Sequence, residues 1–292
     1  SGLSAYGSIN YELKKKLEKV LIISKKGIYF LRERRNITEP TLKNINIDNY
    51  DRTKIFKDQI SKTNIFEICK GYLPQDVAIT AEKIISEQIV KFLRMIKNIY
   101  FKKFDHIIFS GGLFLNVKIN SDIENSKIFK KCFFTMAPSD SGLSLGGIFS
   151  ENIKLKKDMF SKLGLTPFLG PSFSEFEINK LLKNYKLNYS IPKNLEKDIA
   201  QEISKKKIIG LFQGKAEFGQ RSLGNRSILA DPRWKKTKEI LNQKIKKRDW
   251  FMPFAPAILD TEFKNFFNSE SPSLYMQKAE KVIKSKISMI PA

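Results

Sequence analysis

An α/β fold is what this sequence predicts, and three observations carry that reading. Two short apolar runs, 105–110 (DHIIFS) and 207–212 (KIIGLF), read as buried strands. Apolar residues recur at helical spacing in segments beginning near 76, 174 and 195. Each strand run delivers the chain into a glycine-containing turn, where the backbone must bend sharply. At 292 residues the chain is long enough for two domains with separate cores.

Taken in order, residues 1–7 (SGLSAYG) form a glycine-rich loop. A hairpin is expected over 20–31, with Lys25, Lys26 and Gly27 at its turn. The stretch 36–72 is polar and gives no clear element. A long helix begins near Asp76, its expected N-cap, just after Pro74. Val77, Ala81, Ile84, Ile85, Ile89, Phe92 and Ile96 make its apolar stripe. The 105–110 strand ends in Ser110-Gly111-Gly112, and 134–140 leads into a small-residue helix over 141–151. Gly164, Pro167, Gly170 and Pro171 mark 157–172 as a linker. Ser174 and Glu177 stand at capping-box spacing before a helix ending near Tyr185. Leu195, Ile199 and Ile203 define the next helix, and the 207–212 strand follows.

Composition narrows the function. The apolar runs fall far short of the roughly 20 residues that span a bilayer, and the opening residues lack a basic-then-apolar leader pattern. A cytoplasmic protein without membrane partners is expected. Cys69 and Cys132 lie far apart without metal-type spacing, as suits a reducing compartment. The net charge of +23 raises nucleic-acid binding, but the lysines are spread along the whole chain, so nucleic acid is not the expected partner. His106 is the single histidine and cannot by itself build a two-histidine metal site.

Against this lysine background, Arg221, Arg226, Arg233 and Arg248 gather within 221–248. Arginine's planar fork grips phosphate or carboxylate in a way lysine does not. Gly219 and Gly224 would let Arg221, Asn225 and Arg226 converge on an anion, each charge-assisted bond contributing roughly 1.5–3 kcal/mol. Lys215 lies just upstream. The structural alternative pairs the arginines with Glu217 and Asp231. Ser110, Gly111, Gly112 and Asn116 offer a backbone nest for phosphate oxygens, or an ordinary tight turn. Asp140, at a strand-to-helix junction, suits either a helix cap or a cation ligand.

Together, GLSAYG (2–7), SGGLFLN (110–116), APSDSGLSLGG (137–147), PFLGPSFS (167–174), QGKAEFGQRSLGNRSILADPR (213–233) and KKRDWFMPFAP (246–256) resemble the NodU/CmcH carbamoyltransferase family. The resemblance implies part of an actin-like (ASKHA) ATPase domain over 1–160, then an incomplete YrdC-like α/β domain over 167–292. It implies an O-carbamoyltransferase that forms carbamoyl adenylate from carbamoyl phosphate and ATP. The carbamoyl group then passes to a hydroxyl-bearing acceptor, a small molecule or glycan. ATP and a divalent metal of the iron or magnesium class are the implied cofactors, and the reading leaves room for a homodimer. Asp140 matches the metal-binding aspartate, and Ser110, Gly111, Gly112 and Asn116 match the nucleotide loop. Arg221, Asn225, Arg226 and Arg248, with Lys215, are the residues expected to hold carbamoyl phosphate and nucleotide phosphates.

Gln220 and Ser222 stand where the family usually shows proline and alanine, and Met252 where it often shows arginine. The family's histidine pair is expected upstream of residue 1, and its HVDGTxRxQ-like segment downstream. The sequence therefore reads as an internal portion of a longer enzyme. A tRNA threonylcarbamoylation-related enzyme and a non-catalytic nucleic-acid-binding protein are the alternatives.

Overall fold

The computed structural model describes residues 2–19, 21–24, 27–30, 64–155, 166–269 and 272–289. It is a mixed α/β structure that divides into two compact units. One comprises Ser1–His106 with Asp122–Lys131, the other Ile107–Ser121 with Cys132–Ala292.

In the first unit, helix α1 (Tyr11–Glu18) starts where the Asn10 side chain accepts the Leu13 N–H at 2.9 Å. The hairpin expected from sequence is present as β1 (Leu21–Ser24) and β2 (Gly27–Phe30), antiparallel, with Leu21 opposite Phe30 and Ser24 opposite Gly27. Its turn residues Lys25 and Lys26 lie outside the described residues. Most of the polar 36–72 stretch also lies outside them, but its end forms a short helix, α2 (Asn64–Cys69).

The long helix α3 (Pro74–Tyr100) opens differently from expectation. Leu73 occupies the N-cap, and Pro74 sits at the start, where its missing N–H costs nothing. Asp76 instead accepts the Ser8 N–H at 2.7 Å, so it secures the preceding chain rather than its own helix. Ile84 and Ile89 of the expected stripe are buried, and Ile84 packs with Leu13 and Leu17 of α1. Three polar residues on α3 are buried as well, because partners reach them. Thr80 accepts the Asn10 N–H at 3.0 Å, Glu82 accepts the Ser4 hydroxyl at 2.6 Å, and Ser86 donates to Asp122 at 2.5 Å. Among the described residues no helix is long and apolar enough to cross a membrane.

Strands β3 (His106–Phe109) and β4 (Lys131–Phe134) pair in one sheet. Lys131 donates to the Asp105 carbonyl and Thr135 to that of Phe109, so both chains advance in the same direction. Helix α4 (Val117–Asn125) makes the crossover between them. The expectation of a fully buried strand is corrected here. Burial alternates along β3: Phe109 is enclosed and stacks on Phe134 at 5.0 Å, whereas Ile108 is 71% exposed. One covered face on a two-stranded pair gives alternation rather than continuous burial.

The rest of the second unit follows the sequence reading closely. Helix α5 (Leu143–Lys154) comes after the 134–140 segment. Most of the 157–172 linker lies outside the described residues, and 166–172 holds no helix or strand. Helix α6 (Glu175–Asn184) opens on a complete capping box of Ser174 and Glu177 and ends at Tyr185. Helix α7 (Leu195–Ser204) is capped by Asn194. Strand β5 (Ile209–Phe212) also alternates in burial, contrary to the buried run expected, and leads into the arginine segment. That segment itself ends as a strand, β6 (Arg226–Leu229), which pairs back antiparallel with Phe212 opposite Arg226. Helix α8 (Thr237–Ile240) runs into a π-helical turn over Leu241–Ile245, and a short helix, α9 (Phe263–Phe266), follows.

Leu13, with 0% exposure, should matter most to the first unit. Leu13→Ala is expected to cost about 2–5 kcal/mol by cavity formation. Tyr11→Ala, at a side chain 73% exposed, should stay within about 0.5 kcal/mol of the parent. Urea denaturation of the two variants checks the contrast.

Candidate functional site

Three loops of the second unit come together. The first follows β3. Gly111 adopts φ +116°, a conformation that favours glycine, and its N–H donates to the Pro138 carbonyl at 2.5 Å. The Ser110 hydroxyl reaches the same carbonyl at 3.5 Å. Of the N–H groups expected to form a phosphate nest, that of Gly111 is thus committed to the second loop. The side-chain oxygen of Asn116 accepts the N–H groups of Lys118 and Ile119 at 3.1 and 3.3 Å. It therefore caps α4.

The second loop, 137–142, carries Asp140. This residue is exposed at the start of a 3-10 turn, with Ser139 at the cap position and no side-chain cap bond. Among the described residues no hydrogen bond or ion pair engages its carboxylate. No group of three or more His, Cys, Asp and Glu side chains among them could hold a metal ion. Asp140 alone does not provide the roughly three protein ligands of a catalytic metal centre, so no chemistry is assigned to a metal here.

The third loop carries the arginines. Glu217 organises it: its Oε1 accepts the N–H groups of Leu223, Asn225 and Arg226 at 2.9, 2.8 and 3.0 Å. Burial pushes the Glu217 carboxyl up, but the N–H groups of Leu223, Arg226 and Asn225 outweigh it and leave the group below the ordinary 4.5. Gly219 adopts φ +105°, and a Cβ there would lie 3.1 Å from the Met136 carbonyl oxygen. This lets Gln220 and Arg221 reach the other loops. Gln220 Nε2 donates to the hydroxyls of Ser139 and of Ser141, the latter at 2.9 Å. Arg221 Nη2 donates to the Leu115 carbonyl at 2.9 Å.

The arginines do not converge. The Arg226 guanidinium donates to the carbonyls of Gln213, Asn225, Gly214 and Pro171, and lies 3.6 Å over the Phe212 ring. Arg233 grips Asp231 through two bonds of 2.9 and 2.8 Å, which holds that carboxyl below its ordinary value. Arg248 donates to Asn242 Oδ1 at 2.7 Å and to the Pro253 carbonyl at 3.3 Å, over the Phe254 ring. Asn225 donates its side-chain N–H to the Lys215 carbonyl at 2.7 Å, and Lys215 itself is exposed.

Arg221 differs. Its single partner among the described residues is one carbonyl, and it lines a crevice with Phe114, Met136, Pro138, Tyr275 and Gln277. Among the described residues nothing else takes its remaining N–H donors, which suits them to an anion. Tyr275 and Gln277 went unrecognised in the sequence, since nothing in their spacing marks them. Glu217 and Gln220 stood out only as neighbours of the arginines.

The description Carbamoyltransferase N-terminus matches residues 1–148, and Carbamoyltransferase C-terminus matches residues 200–292. An uncharacterized protein of Methanocaldococcus jannaschii is 31% identical over 99% of this chain and 45% of its own length. Nodulation protein NolNO of Sinorhizobium fredii is 32% identical over 54% of this chain and 24% of its own. Nodulation protein U of the same species is 29% identical over 59% of this chain and 29% of its own. The chain thus spans less than half the length of these relatives.

Because Glu217 titrates below 4.5 when the loop is closed, its contribution is complete above that value and is lost as pH falls through the lower closed-state value. The amides of Leu223, Asn225 and Arg226 should lose hydrogen-exchange protection, relative to intrinsic rates, on acidification. In Glu217→Gln the protection should be weaker at neutral pH and less sensitive to acid. Protection in the parent that does not change with pH would count against the assignment.

Proposed function

This chain belongs to the carbamoyltransferase family, and on that premise we propose that it serves an O-carbamoyl transfer driven by ATP. Water cleaves carbamoyl phosphate to carbamate and phosphate, and the carbamate oxygen then attacks the α-phosphorus of ATP, giving carbamoyl adenylate and releasing pyrophosphate. The oxygen of an acceptor hydroxyl then attacks the carbamoyl carbon, and AMP departs. The acceptor is a small molecule or glycan. The reading keeps an actin-like domain over 1–160, a YrdC-like domain over 167–292, and a cytoplasmic setting.

The observation that carries it is the state of Arg221. Among the described residues its guanidinium is held by one backbone carbonyl, that of Leu115, and it lines a crevice with Phe114 and with Pro138 of the Asp140 loop. Fixed donors of this kind stabilise negative charge that builds up on transferring groups, most effectively where water is excluded. Arg226 and Arg248 are assigned a supporting role, because their donors already hold the backbone that carries the loop. Asp140 remains the residue at which a metal would be sought if further ligands were supplied.

Arg221→Ala is expected to lower carbamoyl-phosphate-dependent ATP–pyrophosphate exchange on the order of 10²–10³-fold. Arg226→Lys should mainly lower the melting temperature and leave exchange per folded molecule within a few-fold of the parent, as expected for a residue that supports rather than reacts. Full exchange in Arg221→Ala would end the assignment.

A further inference from the structure

Asn120 lies on α4, one turn past the Asn116 cap, and is 0% exposed. Its amide nitrogen donates in two directions. One bond of 2.8 Å goes to the Phe114 carbonyl, in the turn that carries Leu115. The other, also 2.8 Å, goes to the Gln277 carbonyl, far along the chain. The side-chain oxygen is buried and accepts nothing among the described residues. An enclosed amide with a stranded acceptor is unfavourable, so what recommends asparagine here is its two donors.

Those two carbonyls belong to two residues, far apart in the chain, that line one crevice beside Arg221. Gln277 is fixed on its other sides as well. Its side chain donates to the Phe134 carbonyl at the end of β4, and its N–H donates to the Ser273 hydroxyl at 2.8 Å. Leu115, adjoining Phe114, supplies the carbonyl that holds Arg221 Nη2. Any rotation of the Gly112–Leu115 turn would carry that carbonyl, and the guanidinium, with it.

We infer that Asn120 is a positioning residue for the anion site: it ties together two segments that line the crevice and, through Leu115, sets the aim of Arg221. The inference rests on the reading of Arg221 as the phosphate donor. Ser121 provides the control. Its one hydroxyl proton is within reach of the Ala279 carbonyl, and of that of Val117 as the other acceptor, and its oxygen accepts the Ala279 N–H, so it secures the same late segment. Neither Ser121 nor Ala279 lines the crevice.

The test uses the intact chain and two readouts. One is affinity for inorganic phosphate, measured by calorimetry. The other is the nitrogen-15 NMR signal of the Arg221 guanidinium, assigned by its disappearance in Arg221→Lys. Asn120→Leu keeps the branched four-heavy-atom shape, though it is bulkier, and removes both donors. It should weaken phosphate binding on the order of tenfold and shift the guanidinium signal toward that of a solvent-exposed arginine. Asn120→Ser, with one donor, should fall between, and it covers the case in which the leucine variant does not fold. Ser121→Ala should leave both readouts at parental values. An unchanged guanidinium signal in the Asn120 variants, or an equal change in Ser121→Ala, would overturn the inference. A parent that ignores phosphate while Asn120→Leu still shifts the signal would sink the anion reading and leave the positioning role standing.

Discussion

Three backbone N–H groups within four residues, those of Leu223, Asn225 and Arg226, converge on a single oxygen of Glu217, and the arginine loop takes its shape from that convergence. A chain bent this tightly has no strand partner for those donors, and donors left unpaired away from water would be costly. An anion at the centre solves the problem, as it does in backbone nests that bind phosphate. Here the anion is part of the chain. Its position upstream of the bend draws 223–226 back toward 217, which brings Arg226 opposite Phe212 and lets β6 register on β5. The concentration of glycine and cation that looks like a binding loop is thus partly self-satisfied.

That arrangement explains why arginine, and not lysine, occupies these positions. Arg226 meets four carbonyls with its two terminal nitrogens while its flat face lies on an aromatic ring. An ammonium has three donors around a point and no face to stack. Arg248 repeats the pattern on a smaller scale, joining Asn242 and Pro253 over Phe254. Asn242, enclosed at 0% exposure, extends the network by donating to the carbonyls of Trp250 and Met252. Planarity serves the scaffold at both sites. At Arg221 the described residues leave the same planarity largely unused, which is the distinction that separates a candidate binding residue from a supporting one.

Local features were legible in the sequence wherever short-range physics decides them. The capping box at Ser174 and Glu177, the hairpin after residue 20 and the stripe through Ile84 and Ile89 depend on spacing alone. Asp76 was misread because its acceptor serves Ser8, a partner 68 positions earlier that spacing cannot supply. The strands at 105–110 and 207–212 were placed correctly, but their burial was not, since an apolar run does not reveal how many faces are covered. The site divided in the same way. Ser110 and Gly111 meet Pro138 because both segments leave adjacent strands at the same end. The separate fates of Arg221 and Arg226 depend on which carbonyls stand within reach, and composition carries no information about that. Asn120 and Gln277 escaped for the same reason, being joined by a bond between positions 157 apart.

Gln220 shows how a side chain can supply a restraint that the backbone itself lacks. A proline at this position would fix φ and stiffen the chain just before the arginine. Glutamine gives up that restraint and leaves the backbone more freedom to lose on folding. In this chain the Gln220 amide bonds the hydroxyls of Ser139 and Ser141, on either side of Asp140. The restraint is thereby moved from the backbone of one loop to a contact between two. Gly219 makes that contact feasible by allowing the close approach to Met136. Rigidity before Arg221 then depends on the 137–142 loop being in place, so the candidate anion residue and the loop of Asp140 are ordered by one interaction rather than independently.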